Sequence, residues 1–150
     1  MSKTKEILFI ETDYSCAYCG QKGRENLSID HIDGRHIQHS KKYDNLIVLC
    51  HNCHHRKTKA KDITLEDIKR LKKMLIIKTL TQFGVNALKL AHRNNFGIVI
   101  NPLFMYHLVD LGLFEQKDVI SSLAEDGKEV TTEVLFIITP EGKRICEKWF

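Results

Sequence analysis

Two Cys-x-x-Cys steps, Cys16/Cys19 and Cys50/Cys53, constrain this chain more than any other feature. Each step lets two thiolates reach one ion from a tight turn. Together they supply the four soft ligands of a tetrahedral structural zinc site. Gly20 follows Cys19 and permits the backbone turn that such a knuckle needs. The spacer from Cys19 to Cys50 is long for a plain zinc ribbon, so an inserted element must lie between the knuckles. A redox pair needs only one such step. Disulfides fit poorly, because Met-Ser-Lys-Thr-Lys-Glu at the N-terminus is no signal peptide. Cys146 stands apart and is expected to be a small apolar core residue.

At 150 residues the chain suits one ordinary domain or two small ones. It has no apolar run of the ~18 residues that a membrane span needs, so a cytoplasmic, membrane-free protein is expected. The formal net charge of +4 is uneven: residues 1–61 hold 11 Lys/Arg against 7 Asp/Glu, and residues 62–150 hold 12 of each. Six of the eight histidines fall between His31 and His55. The excess positive charge on the cysteine-bearing part favours a polyanionic partner.

The pattern divides the chain into modules at 1–61 and 62–150. Residues 6–10, Glu-Ile-Leu-Phe-Ile, form a short apolar run that suggests a strand or a packing segment. Leu27-Ser28-Ile29-Asp30 alternates like a strand. Asp33-Gly34 opens a loop, and Asn45 to Leu49 leads into the second knuckle. A helix is expected from about Cys53. Thr64 and Asp67 have capping-box spacing. Leu65, Ile68, Leu71, Leu75 and Thr79, broadened by Ile76 and Leu80, give the next helix an apolar face. Gly84 would end or separate it. Val85 to Arg93 is a second helical stretch, and Asn101-Pro102 starts a third, running to Leu111. Two strands are expected in 113–138 around the turn Ala124 to Lys128. A last helix starts at Thr139-Pro140, with Ile145 and Trp149 on one face.

Between and after the knuckles lie Asp30-His31, Asn45 and His54. Each alone is unremarkable as a surface pair, a turn residue or a bystander. Together they match the needs of phosphodiester hydrolysis: a water deprotonated in line and a cation on the charge that develops at the leaving oxygen. A histidine accepts a proton near neutral pH. An aspartate with a second histidine suits one divalent cation.

The order Cys16-Ala17-Tyr18-Cys19, Asp30-His31, Asn45, Cys50-His51-Asn52-Cys53-His54-His55-Arg56-Lys57 resembles the HNH endonucleases over about residues 14–58. That resemblance implies an α+β fold, in which a ββα-metal module stands on a zinc-stabilised base. It implies His31 as general base, Asp30 and His54 as holders of the catalytic cation, and Asn45 as tether of the loop that orients His31. Lys57, with Arg56 and His51, would contact nucleic acid. His54 and His55 are adjacent and point about 100° apart on a helix, so only one can face the cation. His36 and His39 are expected to be solvated.

The C-terminal half loosely resembles a winged-helix domain in its order of helices, hairpin and closing helix. Leu108 to Phe114 and Thr139 to Arg144 look like its turn and tail segments. The expected helix Leu103 to Leu111 carries no Lys or Arg for phosphate. A structural or dimerising role therefore competes with DNA reading. The function expected is a metal-dependent endonuclease acting on DNA, with structural zinc and a catalytic magnesium or manganese; nickel or zinc would also suit the Asp/His pair. One site cuts one strand, so a double-strand break would take a homodimer or two events. The alternatives are a non-catalytic zinc-finger DNA-binding protein and a thiol redox protein.

Overall fold

The computed structural model describes residues 2–123 and 126–150. Ala124 and Glu125 of the expected turn therefore lie outside the described residues. Two compact units are present, Met1–Thr79 and Leu80–Phe150.

The first unit opens with helix α1, Lys3–Glu11. The run Glu6 to Ile10 is thus helical rather than a strand. Five residues cannot decide between the two by pattern alone. The helix buries Leu8 and Phe9 and leaves Ile10 57% exposed. The Thr12 hydroxyl closes its end by donating to the carbonyls of Leu8 and Phe9. Strands β1, Leu27–His31, and β2, Leu46–Cys50, pair antiparallel, with Leu27 opposite Cys50 and His31 opposite Leu46. This register puts the second knuckle at one end of the ribbon and Asp30-His31 beside Asn45 at the other. Every residue of β2 is buried, as its unbroken apolar run requires. Helix α2, His51–His55, follows directly and continues as a π-helix over Arg56–Ala60. β1, β2 and α2 are the ββα arrangement.

Helix α3, Leu65–Asn94, begins with the expected capping box. Asp67 N–H donates to Thr64 Oγ1 at 3.1 Å, and Thr64 N–H donates back to Asp67 Oδ2 at 3.2 Å. Its buried stripe is Ile68, Lys72, Ile76 and Leu80. Leu65, expected on that face, is 46% exposed. Lys72, which an apolar pattern discards, is wholly buried. Its ammonium meets Glu11 Oε1 at 2.7 Å and lies 3.8 Å from the Tyr43 ring centre. Tyr43 donates its hydroxyl to Glu11, and Thr79 adds a 3.1 Å bond. These contacts carry the first unit past the expected 61/62 division to Thr79.

The helix breaks at Thr81 (φ 62°, ψ 165°) rather than at Gly84. Thr81 Oγ1 accepts from Gly84 N–H, as a cap does for a restarting helix. A Cβ at Gly84 would lie 3.0 Å from Leu108 Cδ2, so glycine there serves close packing. Strand β3, Gly97–Ile100, falls in a stretch to which the sequence reading assigns no element. It pairs with β5, Glu129–Ile138, which also pairs with β4, Phe114–Leu123, giving the order β3-β5-β4. Asn101 caps a short 3-10 turn, Pro102–Phe104. The third helix is correspondingly shorter than expected: α4, Tyr106–Asp110. Thr139 caps α5, Pro140–Trp149, which buries Ile145 and Trp149 as expected.

Candidate metal centre and polar site

The register of β1 on β2 brings the two knuckles together. One ligand atom from each of Cys16, Cys19, Cys50 and Cys53 lies within 4.8 Å of the others. Cys19 Sγ and Cys50 Sγ are 3.7 Å apart. A tetrahedral ion with Zn–S bonds of about 2.3 Å separates its sulfurs by about 3.8 Å. The thiol set and its spacing therefore fit one zinc ion. Cys50 Sγ accepts the Cys53 N–H at 3.4 Å, which tightens the second knuckle. Burial pushes the Cys16 thiol up, but hydrogen bonds from the backbone of Cys19, Cys50 and Tyr18 outweigh it and bring it to about 7. Burial and the neighbouring thiols push Cys53 up. Four thiols this close cannot all ionise without a cation among them. Cys146 is buried outside the cluster.

The polar residues gather at the other end of β1. Asp30 is 7% exposed. Its Oδ1 accepts the His31 N–H at 2.9 Å and lies 3.7 Å from His54 Nε2. His55 points to solvent, so it is His54 that meets Asp30. Lys57 turns inward: its ammonium contacts Asp30 Oδ2 at 2.7 Å and the His31 carbonyl at 2.6 Å. Its side chain is only 12% exposed, so this geometry gives it a carboxylate partner where the resemblance implies a phosphate. His31 Nδ1 is buried with no hydrogen-bond partner.

Asn45 is buried at the start of β2 and spans the loop between the motif halves. Its Oδ1 accepts from Asp33 N–H at 2.9 Å and its Nδ2 donates to the Ser40 carbonyl at 3.0 Å. The Asn45 carbonyl also accepts the Ile32 N–H at 2.9 Å. Both ends of the loop are thus fixed next to His31. His36 and His39 within it are exposed. Arg56 pairs with Asp62 at 2.9 Å and lies over the Tyr18 ring, and His51 is exposed.

Residues 16–60 match the family model described as HNH endonuclease. No curated protein and no solved structure matches the chain. The HNH match and the cysteine cluster agree on the same segment, and they point to nuclease or DNA-binding activity with zinc. Two supports of the matched segment leave no mark in the sequence pattern. Lys69 of α3 pairs with Asp33 at 2.8 Å. Tyr43, two residues before Asn45, is anchored through Glu11 to Lys72. Neither falls inside a short motif, and distant ion pairs leave no periodic signal.

Proposed function

We propose that the N-terminal module is a metal-dependent endonuclease that hydrolyses DNA phosphodiester bonds. One observation carries this reading: His54 Nε2 stands 3.7 Å from Asp30 Oδ1, on the residue adjoining His31, and the zinc cage uses none of the three. Two ligand atoms each about 2.1 Å from one ion lie about 3.0–4.2 Å apart, so the pair fits a single small divalent cation. A carboxylate with an imidazole suits magnesium or manganese, and also nickel or zinc. When bound there, the ion supplies positive charge against the leaving oxygen.

The chain's own residues do the rest. His31 takes the proton of the attacking water. Asn45 holds the flanking loop, which fixes the imidazole's direction. Lys57 holds Asp30 and the His31 carbonyl, orienting both residues from α2's continuation. The second unit, with its helix, strand, helix and hairpin, is read as a winged-helix-like module. Exposed Leu103 and Tyr106 in its short helical segment suit packing against a partner better than phosphate contact.

A DNA-binding module without catalysis is the second reading. The Lys57 ammonium, 2.7 Å from the Asp30 carboxylate, favours it, because a cation must share that carboxylate. A supercoiled-plasmid nicking assay with a panel of divalent ions separates the two. His31→Ala is expected to lose about 10²–10⁴-fold in rate while still binding DNA. Equal cleavage by the mutant removes His31 from the mechanism. Binding without nicking by the wild type under every ion selects the second reading.

A further inference from the structure

His31 also lines a cleft of about 840 Å³ on the first unit. Its walls bear Lys5, Arg24 and Lys41, and no Asp or Glu lines it among the described residues. All three cations are exposed. They come from three separate places: the first turn of α1, the turn before β1, and the loop between the motif halves. Ser2, Thr4 and Ser28 add hydroxyls, and Phe9, Leu27, Ile29 and Leu46 give an apolar floor. The Arg24 guanidinium is held 5.7 Å over the Phe9 ring. A basic rim over an apolar floor suits a phosphodiester backbone whose sugars and bases face the protein. The volume falls in the range of about 300–1,000 Å³ that encloses one small ligand. That volume matches a nucleotide or two of one strand better than the width of a duplex.

We propose that this cleft binds a single-stranded stretch of the nucleic acid beside the bond to be cut. Lys5, Arg24 and Lys41 are its phosphate contacts and positioning residues for the strand. The inference rests on His31 as the base of the proposed reaction. It adds that the strand reaches His31 unpaired, so unpaired or frayed substrates are preferred over intact duplex.

The test compares wild type with K5A/R24A/K41A, and with K5E/K41E, which leaves Arg24 on Phe9. Zinc content and far-UV circular dichroism check that each variant is folded. Binding of a short fluorescein-labelled single strand and of its duplex is titrated against salt, without added divalent cation. Both variants are expected to lose at least about tenfold in single-strand affinity and less for the duplex. In the triple variant the salt slope should flatten by about 2, from three contacts at about 0.7 each. Cleavage should show a raised KM with kcat nearly kept. Unchanged single-strand affinity, or an equal loss for duplex, overturns the cleft. If the variants lose binding but the wild type nicks DNA under none of the divalent ions, the cleft stands and the nuclease reading falls. If wild type cleaves through His31 and the variants bind normally, the cleft alone falls.

Discussion

Lys72 is the residue that most departs from its ordinary setting. It is fully buried on α3, with Glu11 at 2.7 Å and the Tyr43 ring beneath it. Burial pulls its ammonium below the usual lysine range, and Glu11 opposes that. Burial, then Glu11, pushes the Tyr43 phenol up, so Tyr43 stays a neutral donor. Removing one member of a buried pair strands the other charge, at a cost of about 3–5 kcal/mol. Lys72→Met should therefore lower unfolding stability by about that much, and adding Glu11→Gln, which removes the charge but keeps an acceptor for Tyr43 and Thr79, should restore most of it. A double-mutant cycle in urea measures this, and additive losses would show the pair is not coupled. The contrast with the polar site explains what a sequence can reveal. Asp30, His31, Asn45 and His54 stand at short spacings among cysteines, and few chemistries use those types together. A lysine in an apolar stripe looks like a solvated residue, because its partner lies 61 positions away.

At the scale of elements, local signals were legible where a side chain bonds its own backbone neighbours. The Thr64–Asp67 box, the Asn101 cap and the Thr139 cap all form as their spacing implies. Signals that depend on distant packing were not. α1 buries Leu8 and Phe9 and ends on Glu11, whose carboxylate meets Tyr43 and Lys72 far along the chain. β3 exists because Gly97 can lie against β5, where a Cβ would come 2.1 Å from the Phe136 carbonyl oxygen. The capping box gives an element-scale prediction. Thr64→Ala should cost about 1 kcal/mol of stability by urea unfolding. Hydrogen bonds from Thr64 hold the Asp67 carboxyl below its ordinary value of 3.8. A depressed carboxyl stabilises the fold above its unfolded value and loses that effect as pH falls through the folded one. The wild type's advantage over Thr64→Ala should thus be full near neutrality and shrink below about pH 4. An advantage that does not change down to pH 2 would contradict the assignment.

At the scale of the whole molecule, the zinc motif ends well before the unit that carries it. Residues 16–60 hold the HNH match, yet the compact unit runs to Thr79. The added part of α3 contributes Lys69 to Asp33, and Lys72, Lys78 and Thr79 to Glu11. Glu11 in turn holds Tyr43, next to the Asn45 clamp. A fragment ending at residue 61 would keep the four clustered cysteines and every proposed catalytic residue while removing Lys72, Lys78 and Thr79 from Glu11. A fragment ending at residue 79 would keep the whole network. Both should bind zinc, because thiolate ligation alone contributes on the order of 10 kcal/mol. Only the longer one should show dispersed methyl resonances and a cooperative urea transition. Chelation of zinc should then unfold the longer fragment as well. Equal cooperativity in the two fragments would mean that the knuckles alone set the fold, and that α3 is a neighbour of the module rather than part of it.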